Sequence, residues 1–173
     1  IYRQLAEHLS VKTGHVQWLA LTATATPEVQ KDTCYMLGFD DQRTIKLPFK
    51  RENLIWWVIR TEQTIERMIS TLENVKVRGD GLIYASTRKN SERWAERLLR
   101  NGIKAQAYHA GLSADKRTSI QQQWINGKLP WVAATNAFGM GIDKPDCRYV
   151  FHEIMPNSLE AYYQEAGRAG RDG

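Results

Sequence analysis

The chain has only two cysteines, Cys34 and Cys147, in 173 residues, and it contains no internal repeat and no low-complexity tract. The cysteines lie far apart and outside any metal-ligand spacing, which argues against a disulfide scaffold and a zinc site and fits a reducing compartment. No run of about 18 apolar residues occurs, which excludes a membrane span. No apolar leader follows Ile1, so no secretory signal is read, and the chain is expected to begin inside a longer protein. What is present is ordinary for a soluble globular protein: 42% hydrophobic and 25% charged residues. A disordered tail and a fibrous repeat are thereby excluded. The 24 Lys and Arg against 19 Asp and Glu leave a net charge of +5. That balance permits a nucleic-acid partner without establishing one. The length suffices for one domain of about 100–150 residues with a remainder.

Apolar periodicity and its punctuation predict strands alternating with helices. Val16 to Leu21 reads as a strand, and Thr26-Pro27 opens a helix with Val29, Thr33, Met36 and Leu37 inward and Gly38 as its stop. A polar joint from Asp40 to Arg43, followed by Pro48 to Asn53, reads as a linker between two lobes. Leu54 to Ile59 is predicted as a strand, with Trp56 and Trp57 on its opposite sides. Ile65, Met68, Ile69 and Leu72 fall at helical spacing. Gly81 to Ala85 (strand), Arg88 to Arg100 (helix, stopped by Asn101-Gly102) and Lys104 to Tyr108 (strand) form a βαβ unit whose crossover should be right-handed. A helix from Ser113 buries Ile120 and Trp124 and stops at Asn126-Gly127. Strands at Trp131 to Ala134 and Arg148 to His152 follow, then a last helix capped near Asn157 with Glu160 as partner. The fold class implied is α/β, a parallel sheet with helices on both faces. All six tryptophans are expected to pack in cores or between lobes.

Ligands of such sheets sit at the carboxyl ends of the strands, where five polar or glycine-rich clusters fall. In Gln164 to Gly173, Arg168 and Arg171 are three apart and would share a helix face, flanked by Gly167 and Gly170. Phosphate is the natural partner of two such guanidinium groups, although a solvated basic helix end has the same pattern. In Ala133 to Pro145, Gly139 and Gly141 would let backbone N–H groups approach a phosphate or ribose, and Asp143 offers a carboxylate; a tight turn is the simpler account of the glycines alone. Leu21 to Pro27 holds Thr22, Thr24 and Thr26, the last of which is accounted for by capping. Ser86, Thr87 and Arg88 open a helix at another strand end and suit either a cap or a phosphate. His109 lies in the fifth cluster, Tyr108 to Leu112. For His152 a satisfied, half-buried ring at a strand end is expected.

In this order the five clusters resemble the later motifs of superfamily 2 helicases, and specifically those of the RecQ family of DNA helicases. Thr22-Ala23-Thr24 is similar to the T-A-T signature, Tyr84 to Arg88 to Y-x-x-S/T-R, and Tyr108 to Leu112 to Y-H-A-G-L. Ala134 to Pro145 is similar to A-T-x-A-F-G-M-G-I-D/N-K-P, and Tyr162 to Gly173 to Y-Y-Q-E-x-G-R-A-G-R-D-G. The resemblance covers essentially the whole chain, and the phrase Ala137 to Ile142 is more particular to RecQ than to RNA helicases. It implies two RecA-like lobes, with residues 1–45 the end of the first and 46–173 most of the second. It implies ATP and Mg2+ as cofactors, held mainly by the missing first lobe, and single-stranded and duplex-junction DNA as partner, with no membrane. A cytoplasmic or nucleoid location follows, nuclear if the source is eukaryotic, with repair and recombination as the expected setting.

The resemblance also assigns roles. Arg171 would be an arginine finger, Arg168 would support phosphate binding, and Gln164 would position the nucleotide or its attacking water. Gly139, Gly141 and Asp143 would meet the nucleotide. Ser86, Thr87, Arg88, His109 and Thr135 would hold DNA, and Thr22 and Thr24 would couple hydrolysis to the DNA track. The sequence departs from the family in two ways. It has neither G-x-x-x-x-G-K-S/T nor Asp-Glu-x-His, so the chain alone is expected neither to hydrolyse ATP nor to unwind DNA. Ile154 also stands in a stretch, His152 to Pro156, usually read as H-x-D-x-P. An RNA helicase lobe, a non-motor nucleic-acid-binding module and an unrelated doubly wound nucleotide enzyme are the alternatives, the last disfavoured by the incomplete dinucleotide fingerprint.

Overall fold

Short apolar runs bounded by turns and buried on both faces pair as parallel strands, and Arg51–Gly173 follows this rule. The computed structural model describes residues 19–22, 25–38, 44–46, 51–74, 79–136, 138 and 142–171 and separates two units, Ile1–Lys50 and Arg51–Gly173. In the first unit, α1 (Pro27–Leu37) starts where expected: Thr26 Oγ1 accepts from the Val29 amide, Pro27 sits in the first turn, and Gly38 closes the helix at φ 66°. Residues 16–18 of the expected first strand lie outside the described residues, and Leu19 to Thr22 are exposed and form no strand. Val29, expected inward, is also exposed.

The second unit contains α2 (Thr64–Asn74), β1 (Asp80–Tyr84), α3 (Arg88–Arg100), β2 (Ala105–Tyr108), α4 (Ala114–Ile125), β3 (Trp131–Ala134), β4 (Cys147–His152), α5 (Leu159–Ala166) and a 3₁₀ turn, Gly167–Gly170. The strands lie in the order β2-β3-β1-β4, all parallel. Alternate residues of β1 feed different cores. Ile83 packs on one face with Ile65, Met68, Trp94 and Leu98 of α2 and α3; Leu82 and Tyr84 pack on the other with Ile120 and Trp124 of α4 and Phe138. Gly81 is required by its neighbour strand, because a Cβ there would lie 2.2 Å from the Trp131 ring. The stops after α3 and α4 are as expected, with Gly102 at φ 74° and Gly127 at φ 68°.

Two expectations fail in this unit. Leu54 to Ile59 forms no strand among the described residues, with Ile55, Trp57 and Val58 exposed; strand propensity without a partner strand does not make a ladder. Neither Trp56 nor Trp57 is therefore a core residue: both are exposed, although Trp56 meets Tyr162 at a ring-centroid distance of 5.2 Å. The last helix is capped one residue later than expected, by Ser158 accepting from the Ala161 amide, and it ends as an α-helix at Ala166, before either arginine.

Candidate functional site at the carboxyl edge of the sheet

The register places the last residues of all four strands in one row: Tyr108 beside Ala134, Ala134 beside Tyr84, and Tyr84 beside His152. Ser86 to Arg88, His109, Thr135 and Glu153 therefore leave the sheet along a single edge. Thr87 caps α3 by accepting from the Asn90 amide at 3.1 Å, and Arg88 is exposed in the first turn. Ser86 gives both its amide and its hydroxyl to the Glu153 carboxylate, each at 2.7 Å, and Asn90 Nδ2 donates to the same carboxylate. Burial pushes the Glu153 carboxyl up, but these donors outweigh it and hold the group below its ordinary value. The helix N-terminus read as a phosphate seat thus already carries an anion. No local pattern marks Glu153 for that role.

His109 is buried at the end of β2. Its Nδ1 accepts from the Gly111 amide at 3.2 Å, so in the neutral ring Nε2–H faces Glu92 at 3.2 Å. Gly111 permits this turn, since a Cβ there would stand 3.1 Å from His109 Nδ1 and 3.3 Å from Arg88 Nη1. Arg88 is thereby brought against the His109 loop. Thr135 follows β3, partly exposed, its amide bonded to the Tyr108 carbonyl at 3.1 Å.

The two arginines converge after all. A 3₁₀ turn repeats every three residues, so a spacing of three aligns them even though the α-helix has ended. Arg168 Nη1 and Arg171 Nη1 each donate to the Ile142 carbonyl at 3.2 Å, and Arg171 Nη1 also meets Asp143 Oδ1 at 2.5 Å. Arg168 Nε donates to the Tyr84 hydroxyl at 2.9 Å, and that hydroxyl donates to the Phe138 carbonyl at 3.4 Å. Burial, against the pull of Arg168, pushes the Tyr84 pKa up to about 12, so it remains a neutral phenol. The loop under the arginines is anchored by Lys144, itself buried, with Nζ 2.7 Å from Asp80 and 3.0 Å from Asp146 and lying over the Trp124 ring. Burial disfavours that ammonium, and the two carboxylates more than compensate, raising its pKa.

Gln164 is exposed on α5, and Thr22 is exposed in the first unit. Thr24, Gly139 and Gly141 lie outside the described residues. Among the described residues no group of three or more His, Cys, Asp or Glu is placed to hold a metal ion. No helix there is long and apolar enough to cross a membrane.

His152 is the satisfied strand-end histidine expected. It stacks on Tyr84 at 5.2 Å, and Nε2 lies 2.9 Å from Glu165 Oε2. Burial lowers its pKa from 6.5 to about 4, so the neutral ring donates to Glu165. An unfolded chain protonates this histidine first, so stability is full above pH 6.5 and declines as pH falls toward about 4. Glu165, whose carboxyl burial raises despite Arg168, opposes the decline at its acid end. The denaturation midpoint of the intact protein should therefore fall between about pH 6.5 and 5, and His152→Gln should flatten that slope. An equal slope in both proteins would contradict the assignment.

With this geometry established, the comparison with known proteins decides the family. Residues 62–173 match the family model described as helicase conserved C-terminal domain. The chain belongs to that family. The RecQ resemblance seen in the motifs holds as well. The chain is 46% identical to the ATP-dependent DNA helicase RecQ of Bacillus subtilis over 155 residues, which is 90% of this chain and 26% of that protein. It is 42% identical to the ATP-dependent helicase SGS1 of Saccharomyces cerevisiae over 159 residues, 91% of this chain and 11% of the relative. The chain thus spans about a quarter or less of these relatives' lengths. Among solved structures, the Mycobacterium smegmatis helicase Lhr bound to ssDNA and AMP-PNP superposes with a TM-score of 0.54 at 27% identity, over 62% of this chain and 15% of that one. The parallel sheet with helices on both faces is the helicase C-terminal lobe.

Proposed function

We propose that this chain forms most of the second motor lobe, and the end of the first, of an ATP-dependent, RecQ-type DNA helicase moving 3′ to 5′. Residues 1–45 and 46–173 are the two portions. The observation that carries the proposal is the convergence of Arg168 and Arg171 on one carbonyl. Two guanidinium groups so close repel each other, and Arg171 is paired there with the Asp143 carboxylate, itself exposed. Exposed ion pairs contribute only about 0–1 kcal/mol. Arg171 is therefore held in place but easily transferred to a stronger anion. The Asp143 carboxylate occupies the place a γ-phosphate oxygen would take at the guanidinium fork.

In this mechanism ATP supplies the phosphoryl group that is transferred. Arg171 stabilises the charge spread over it, Arg168, itself held by the Tyr84 hydroxyl, supports phosphate binding, and Gln164 orients the nucleotide or water. Gly139, Gly141 and Asp143 border the nucleotide. Mg2+ would be held by the other lobe. Without that lobe the chain neither hydrolyses ATP nor unwinds DNA. Thr22 and Thr24 couple hydrolysis to the DNA track. The DNA track runs along the sheet's carboxyl edge, with Thr87, Arg88 and Thr135 as contacts; Ser86 and His109, engaged by Glu153 and Glu92, shape the track from beneath. Duplex-junction DNA is the substrate, in a nucleoid or nuclear setting of repair and recombination. The names of the Bacillus subtilis relative as a DNA helicase and of SGS1 as a helicase, and Lhr bound to ssDNA and AMP-PNP, support this reading.

DNA binding by the intact protein tests the track. Arg88→Ala should weaken single-strand binding without base preference and reduce the slope of log K against log salt by about 0.7, the value for one phosphate contact on a single strand. Thr135→Ala, which removes no charge, should weaken binding at an unchanged slope. An unchanged slope in Arg88→Ala would remove that residue from the track.

A further inference from the structure

The turn that carries both arginines is held from a distant part of the chain. Arg51 Nη2 donates to the Gly170 carbonyl at 2.8 Å and to the Gly167 carbonyl at 3.3 Å, and Asn53 Nδ2 donates to the same Gly170 oxygen at 3.0 Å. The first and last carbonyls of the 3₁₀ turn are thus tied to one short segment. Contact is close: a Cβ at Gly170 would lie 2.8 Å from Leu54 Cδ2 and 2.9 Å from Asn53 Nδ2, so both side chains would have to shift to admit one. Carbonyls at a helix end lack intrahelical partners, and a single 3₁₀ turn containing two glycines has little stability of its own. Left alone, this turn would sample many conformations, and its two side chains would sample many positions.

We propose that Arg51 and Asn53 are positioning residues that fix the Arg168–Arg171 turn, so that the finger reaches the transferred phosphate in one geometry. This rests on the finger role of Arg171 given above. Neither residue touches the reacting atoms. Misplacing a catalytic group by about 1 Å can cost about 10²-fold in rate. Loss of the clamp should therefore lower kcat and leave ground-state binding nearly intact.

The test uses the intact protein, with ATPase kcat and KM, single-strand DNA affinity and thermal melting measured for Arg51→Ala, Arg51→Lys, Asn53→Ala and Arg171→Ala. Asn53→Ala and Arg51→Ala should each lower kcat by about 10–100-fold with KM for ATP and DNA affinity within about twofold. Arg51→Lys, which keeps a donor for one carbonyl, should recover part of the loss. In an Arg171→Ala background, Arg51→Ala should cost much less than in the wild type, because there is no finger left to misplace. An equal cost in both backgrounds would mean that Arg51 merely supports the fold, and would overturn the inference. So would wild-type turnover in Arg51→Ala and Asn53→Ala while Arg171→Ala is inactive, which would leave the finger standing. Wild-type turnover in Arg171→Ala would end the finger reading and the clamp with it. If melting shows that Arg51→Ala does not fold, Asn53→Ala and Arg51→Lys carry the same comparison.

Discussion

In the intact protein, Arg171→Ala should reduce ATP turnover by roughly 10³-fold or more while single-strand DNA affinity stays within a few-fold. The magnitude follows from phosphoryl transfer, in which the protein supplies position and charge, and an arginine finger contributes roughly 10³–10⁵ in rate. The selectivity follows from where the side chain stands. Arg171 meets Asp143 and the Ile142 carbonyl, whereas Arg88 and Thr135 leave the sheet after β1 and β3. Arg171→Lys should recover little, because a point charge cannot reproduce the planar fork. Turnover within a few-fold of wild type in Arg171→Ala would remove the residue from catalysis, and an equally large loss of DNA affinity would move it to the DNA track.

The second large effect is on stability. Trp124→Ala should cost about 3–5 kcal/mol, the range for truncating a buried Trp, against a typical domain stability of 5–15 kcal/mol. Trp124 is 1% exposed, packs edge-on against Phe138 at 5.3 Å, and lies beneath the Lys144 ammonium. Its removal opens a cavity and also loosens the loop bearing the Ile142 carbonyl. Hydrogen-exchange protection of the β1 and β3 amides in the intact protein should therefore fall by roughly 10²-fold or more, at about 1.4 kcal/mol per decade. Leu99→Ala, at a site 54% exposed, should change protection by less than about threefold. Equal protection in the two variants would show that Trp124 is not part of the core that supports the site.

The sequence was most informative where structure is local. Caps at Thr26, Thr87 and Ser113 and stops at Gly38, Gly102 and Gly127 are written in a few adjacent residues, and helix faces in the spacing of Trp94 and Leu98 or of Ile120 and Trp124. Leu54 to Ile59 failed because a strand is defined by its partner, which no local pattern supplies. The arginine pair was legible for a partly different reason from the one its spacing suggested: the helix ends at Ala166, and the 3₁₀ turn preserves the alignment. Glu153 filling the start of α3, and the Arg51–Asn53 clamp on Gly167 and Gly170, are not legible in the sequence. They join residues 63–67 and 116–119 positions apart, and neither leaves a periodic trace. The clamp residues sit in a stretch whose polar composition reads as linker.

In the proposed mechanism Arg171 exchanges the Asp143 carboxylate for the phosphate being transferred. A structure of the intact protein with single-stranded DNA, ADP and a metal-fluoride mimic of the transferring phosphate tests it most directly. There the Arg171 guanidinium should have left Asp143 and should lie within hydrogen-bond distance of the fluoride. Arg171 still paired with Asp143, or directed to solvent, in a closed complex with the mimic bound would contradict it.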